Sequence, residues 1–325
     1  MLYYNITLTE HSQPIPMHTF IRSLSFLFLS LLLSSQSIAA DNTPPLNVVV
    51  TIKPLHSLVA SLMKGVIQPQ LLLTSSQSAH HTNLRPSDYR KLADADIVFW
   101  AGASLESFIP AVEKKHQGHT QYISLIKTDG LTLLPIRGKQ EHSHHENHHS
   151  NHTDPHFWLS TINAKIIVSA ITQKLIDADA VNSSLYLRNK EQTLARLNVL
   201  SERLTQKLEN NTAPFITYHD AYQYFENENK LTGAHFVTTS TEHSPGIKRI
   251  KDLKHLIDTE NIQCVFYEPP NIPPLLNTLL EKKSVRLLPI DPAGTQIASG
   301  KTHYFELMSQ TAKKIHGCLS TITRN

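Results

Sequence analysis

From Ser184 to Glu209 the chain runs for roughly seven helical turns without a glycine or a proline. Leu187, Leu194, Leu197, Leu200, Leu204 and Leu208 recur at helical steps, with charged and amide residues between them. This spacing lines apolar groups along one side of a helix, which needs packing partners along its whole length to be stable. In the middle of a chain, such a segment reads as a spine joining two lobes. The leucines keep no strict heptad, which weighs against a coiled coil.

The sequence on either side of this spine supplies the lobes. Before it, Asn47–Ile52, Gln70–Thr74, Asp96–Trp100 and Gln121–Leu125 are short apolar runs bounded by helical stretches, one following Pro54 and one starting at Pro86. After it, Pro214–Tyr218, Ala234–Thr238, Gln263–Tyr267 and Val285–Ile290 repeat the alternation, with helices over Ile247–Ile257, Pro274–Lys283 and His303–His316. Strands interleaved with helices make βαβ units and parallel sheets. The fold class expected is therefore α/β, two lobes, each a parallel sheet flanked by helices. The N-terminal lobe is expected over 41–160, linker helices including Ile162–Ile176 over 161–211, and the C-terminal lobe over 212–325.

Residues 1–40 read as a secretory signal peptide, with Met17 a well-proportioned start. Arg22 leads into an apolar run from Ser23 to Leu33 and then small residues ending Ala39-Ala40, too short to be a spanning helix. Removing it leaves about 285 residues, enough for two ordinary lobes. The formal charge of +3 is too small and too evenly spread for nucleic acid to be a partner. Cys264 and Cys318 are the two cysteines. In an exported chain an even count favours a disulfide, here closing the last lobe. A zinc–thiolate site is less favoured, because neither cysteine has a second at ligand spacing.

A histidine-crowded segment over about 138–153 interrupts the first lobe. His142, His144, His145, His148, His149 and His152 fill six of the eleven positions between its outer histidines. With no aliphatic side chain to bury, the run is expected as a disordered, solvated loop, either a plain polar linker or a dense set of metal-binding imidazoles. Three separate histidines stand where parallel sheets place ligands, just beyond strand ends. They are His80 after the second strand, His156 at the mouth of the histidine-rich loop and His219 after the fifth strand, and Asp291 follows the eighth in the same way. Three imidazoles and an oxygen suit zinc better than manganese or iron(II).

Several segments carry a family resemblance, in order along the mature chain: Thr51–Ala60, His80–Asp88, Ala95–Val98, Asp154–Ser160, His219–Phe225, Glu268-Pro269 and Asp291–Gly294. Together they resemble the metal-binding receptors of ABC importers (bacterial solute-binding protein family 9), in particular the periplasmic zinc-binding branch. The resemblance implies a helical-backbone metal-receptor fold that takes Zn²⁺ as transported ligand in the periplasm. It implies an ABC permease and its ATPase subunit as partners, with an auxiliary periplasmic zinc chaperone as a further one. It assigns His80, His156 and His219 as ligands, with Asp291 or a water as the fourth, and it supports the Cys264–Cys318 pair. His56 recurs in the family pattern but reads as a packing or capping residue. Some relatives carry glutamate where this chain has Ala79.

Two other readings remain. A manganese or iron receptor, or a related adhesin, is disfavoured by histidine at position 219, where manganese-type members resemble one another in carrying glutamate. A zinc hydrolase also uses three ligands and an open position, but needs a general base beside the bound water, and the candidate site is drawn from four distant segments.

Overall fold

The computed structural model describes residues 1–2, 44–74, 83–116, 118–137, 153–239 and 245–321. Residues 3–40 of the expected leader, His80 and all six histidines of the His142–His152 run lie outside them.

Four short strands form the first sheet: β1 (Val48–Val50), β2 (Gln70–Leu71), β3 (Ile97–Trp100) and β4 (Gln121–Ser124), all parallel, in the order β2-β1-β3-β4. β1 and β3 are buried at every position, which explains why they read as unbroken apolar runs. The second sheet repeats the pattern with β5 (Phe215–His219), β6 (Ala234–Thr238), β7 (Cys264–Tyr267) and β8 (Arg286–Pro289), parallel, in the order β6-β5-β7-β8. In each sheet the order reverses beside the first strand, and the crevice at such a reversal is where open α/β sheets bind ligands.

Helices α1 (Lys53–Leu62), α2 (Pro86–Ala93) and α3 (Ile109–Lys115) serve the first sheet. Then come α4 (Thr161–Ala178), the spine α5 (Ser183–Leu208), and α6 (Gln223–Glu228), α7 (Ile247–Thr259), α8 (Pro274–Leu279) and α9 (His303–Leu319). The spine forms where expected, but its buried side is not the leucine stripe alone. Tyr186, Asn189, Thr193, Leu197, Leu200, Leu204 and Leu208 are buried, whereas Leu187 is 48% exposed. Asn189 belongs inside because its amide donates to the carbonyls of Leu62 and Lys64 (both 2.8 Å), closing the end of α1. α8 also stops four residues short of the expected Lys283, where Lys282 takes a left-handed backbone (φ 60°) that a helix cannot continue.

The spine packs against α4, α1 and α9. α9 returns from the C-terminal sequence to sit on α1, where the Tyr304 N–H donates to Ser57 Oγ (3.0 Å). Its hydroxyl donates to the carbonyl of Trp158 (2.8 Å). One apolar core consequently runs from Val48 through Trp158, Leu204 and Phe266 to Ile315, and both sheets border it. Pro45–Asn325 is one compact unit. A second cluster around Ile216, Val237, Leu253 and Leu276 fills the other face of the second sheet, under α7 and α8.

A disulfide joins Cys264, the first residue of β7, to Cys318 near the end of α9. It closes a loop across 54 residues, which the loop-closure relation values at about 4 kcal/mol. The double variant Cys264→Ser/Cys318→Ser is expected to fold but to lose about 2–4 kcal/mol of unfolding free energy in denaturant titration. An unchanged midpoint would show that α9 is held by its packing alone.

Candidate metal centre

His219 is the last residue of β5, and Glu268 follows the end of β7, the strand paired with it. Strand adjacency at the reversal point therefore brings together two residues 49 positions apart, with Glu268 Oε1 2.9 Å from His219 Nδ1. His156 reaches the same place from the first lobe. Thr153 forms an antiparallel bridge with Pro135, and Asp154 turns the chain back so that its Oδ1 accepts the His156 N–H (2.9 Å) and lies 2.8 Å from Nδ1. The two imidazole rings meet edge to face with centroids 5.0 Å apart, and both are 3% exposed. Trp158 packs against His156 at 5.3 Å.

In both pairs a carboxylate sits on Nδ1, which assigns the proton there and leaves Nε2 as the nitrogen with a lone pair. This is the arrangement that orients a ligating histidine and raises its basicity. Burial pulls the His219 pKa down, but the hydrogen bond and charge of Glu268, with Asp220 and Asp154 behind it, outweigh burial, and the net shift is upward.

Helix α6, which follows His219 directly, stitches the two loops together. Gln223 Nε2 donates to Asp154 Oδ2 (3.2 Å) and to the Pro135 carbonyl (2.9 Å), and the Tyr224 hydroxyl donates to the Asp154 carbonyl (2.8 Å). The Leu134 N–H in turn donates to that hydroxyl (3.0 Å). Further along, Asp220 and Glu226 share Arg137. Burial pushes Glu226 up to about 7 even with Arg137 pulling the other way. Tyr222 is buried beside this group of carboxylates, and among the described residues its hydroxyl has no hydrogen-bond partner.

Asp291 lies two residues beyond the end of β8, in a loop pinned against Trp158, whose indole N–H donates to the Pro292 carbonyl (2.9 Å). Its carboxylate accepts from the N–H groups of Ala293 (2.9 Å), Gly294 (2.9 Å) and Thr295 (2.6 Å) and from the Thr295 hydroxyl (2.5 Å). Gly294 has φ 63°, and a Cβ there would meet the His303 ring at 2.9 Å, so glycine is required. His56 is buried in α1 with Nε2 3.0 Å from the Pro69 carbonyl, a packing role as expected. Of the four residues read from the sequence, the structure brings His156 and His219 into contact and sets the Asp291 loop beside them, with its carboxylate engaged in its own turn. His80 is not among the described residues. Within those residues no group of three histidine, cysteine or acidic side chains converges as a metal site.

Sequence reasoning gave no role to Asp154, Glu268, Gln223 or Arg137. Asp154 carried a local signal, an acidic residue two before a histidine in a Pro-containing turn. Glu268 stood in one of the family-like segments, Glu268-Pro269, but only strand pairing makes it a neighbour of His219. Cavity size is no guide either: a cavity of about 780 Å³ lies in the first lobe between Ser124–Asp129 and α4, away from the histidines.

Residues 48–318 match the family described as zinc-uptake complex component A, periplasmic (ZnuA). The chain belongs to the ZnuA family. It is 32% identical over 306 residues to the high-affinity zinc uptake system protein ZnuA of Brucella suis, covering 84% of this chain and 91% of that one. Against its Yersinia pestis namesake it is 28% identical over 297 residues, covering 84% and 91%. A crystal structure of ZnuA superimposes with TM-score 0.74 at 19% identity over 85% of this chain and all of that one. The Pseudomonas aeruginosa protein FpvC in complex with Mn²⁺ also gives 0.74, at 18% identity over 86% and 100%. These two likenesses show a shared fold: two parallel sheets and a long connecting helix.

In the metal-free chain, the His219 imidazole is expected to titrate above the ordinary 6.5 in an NMR pH titration, and Glu268→Gln to bring it down. A midpoint that does not move in the variant would remove Glu268 as the residue that sets its basicity.

Proposed function

We propose that this chain captures Zn²⁺ in the periplasm and delivers it to the membrane permease and ATPase subunit of an ABC importer. The observation that carries the reading is the pair of buried imidazoles, His156 and His219, each backed by a carboxylate, in a chain of the ZnuA family. In this reading His80, which follows β2 in the sequence, supplies the third imidazole. Asp291 or a water supplies the fourth donor, and Asp291 would have to release some of its turn hydrogen bonds to do so. Imidazole-rich, four-donor binding fits zinc, whereas manganese and iron(II) favour more carboxylate.

The cargo undergoes no chemistry: the reading is of a carrier and not an enzyme. Asp154 and Glu268 already hold the Nδ1 side of the two imidazoles, so neither stands as a general base beside a metal-bound water. The imidazoles of His142, His144, His145, His148, His149 and His152 form an accessory collector. A run with no apolar side chain to fix its shape loses more entropy on binding and is expected to bind more weakly than a preformed site. An auxiliary periplasmic zinc chaperone is a further partner under this reading.

The test is a Zn²⁺ titration against a competing chelator, using the mature chain, the triple variant His80→Ala/His156→Ala/His219→Ala and a deletion of 138–152. The mature chain is expected to show one tight site and weaker ones, the triple variant only the weak ones, and the deletion only the tight one. Identical curves for the mature chain and the triple variant would move the functional site to the histidine-rich run. Preferential retention of Mn²⁺ over Zn²⁺ would overturn the choice of metal.

A further inference from the structure

We propose that Arg137 is a positioning residue for cation capture, tying the loop that presents His219 to the segment that presents His156. The inference rests on the proposed metal site and deepens it. Arg137 stands two residues beyond Pro135, whose bridge partner Thr153 leads straight into Asp154 and His156. Its side chain crosses to the second lobe. Nε donates to both carboxylate oxygens of Asp220 (3.0 Å each), Nη1 donates to Glu226 Oε2 (2.7 Å), and Nη2 pairs with Asp220 and reaches Glu226 Oε1 at 3.4 Å. The guanidinium lies 5.2 Å over the Phe236 ring of β6, the strand beside β5.

Each of its two acceptors leads to the site by a different path. Asp220 is the residue after His219, and its N–H is held by the Thr238 carbonyl (3.0 Å). Glu226 lies on α6, one turn from Gln223, which donates to the same Asp154 carboxylate that orients His156. Both acidic side chains are 3% exposed, while Arg137 is 27% exposed. Without the guanidinium, two buried carboxylates would face each other and Asp154 with their hydrogen-bonded cation gone and only the charge of Arg249 felt at Asp220, a costly arrangement that opens by separating the loops. Lysine keeps the charge but cannot replace the fork, because a single ammonium cannot grip both oxygens of Asp220 and still reach Glu226. Geometry, and not charge alone, is therefore the property under test.

The experiment compares native mature chain, Arg137→Lys and Arg137→Met in Zn²⁺ titration against a chelator. Visible absorption of the Co²⁺-substituted proteins reports the ligand geometry, and thermal unfolding of the metal-free proteins reports stability. Arg137→Lys is expected to unfold within a few degrees of native yet bind Zn²⁺ about tenfold more weakly, the lower end for residues that orient metal ligands, with an altered Co²⁺ band pattern. Arg137→Met should lose more, and if it does not fold the lysine variant alone decides. Native affinity and a native Co²⁺ spectrum in Arg137→Lys would overturn the proposal, as would an affinity loss that only tracks loss of folded protein. Tighter binding in Arg137→Met would also overturn it, by reducing Arg137 to a repelling charge. A native chain with no tight site would instead overturn the function on which the proposal rests.

Discussion

The carboxylate of Asp154 has two oxygens, and they serve different lobes. One fixes the ring of His156 from within its own turn, and the other accepts the amide of Gln223, which belongs to the helix following His219. The proposed metal site is split between lobes, and such a site needs its donors held to fractions of an ångström although they are far apart in sequence. The contacts that hold His156 and His219 are short polar ones between loops, and not the sheets that carry them. The same logic explains the concentration of acids around the two histidines. Asp154, Asp220 and Glu226 are buried and Glu268 is half-buried, an arrangement that would be unfavourable unless cations were supplied. Arg137 supplies one, and a divalent cargo would supply the rest.

Beneath this polar layer, the architecture resists being pulled apart. The spine helix does not merely link two independent cores. Through α4, α1 and α9 it runs one apolar cluster from the first sheet to the second. α9 begins beyond the second sheet and ends locked to β7 by the disulfide, yet its first turn bonds to α1 in the first lobe. Such a chain favours small rocking and local loop rearrangement over wide hinge closure as the way to admit and release a ligand. Loops that hold their shape by side-chain hydrogen bonds, as Asp291 does with Ala293, Gly294 and Thr295, are the parts able to change while the core stays fixed.

Glu106 shows the same economy in the first lobe. It is fully buried at the carboxyl ends of β1 and β3, accepting from the Thr51 hydroxyl, from the Ala101 N–H (3.2 Å) and from the Gly102 N–H (2.9 Å). Burial raises its pKa to about 7 despite those donors. One acidic side chain thus holds the two strand ends where this sheet reverses its order, as Glu268 does beside His219 in the second.

Much of this was readable in the residues themselves. Unbroken apolar runs such as Val48–Val50 and Ile97–Trp100 have to be strands buried on both faces, and a glycine- and proline-free stretch with leucines at helical steps has to be a long helix. Hydrophobic periodicity is a local property, so the sequence by itself determined the elements, their α/β order and the spine. It also put His156 and His219 forward as candidates, together with His80 and Asp291, and the structure brings the first two into contact. What it could not supply is which distant side chains meet. Leu187 fits the leucine pattern but faces solvent, because Asn189 had carbonyls of α1 to satisfy. Glu268 lies 49 residues from His219 and becomes its partner only because β5 pairs with β7. Arg137 and Gln223 join the lobes through contacts spanning more than 60 residues. Pairings of that kind depend on the relative placement of packed elements, which no local pattern encodes, and so the tertiary structure alone decided them.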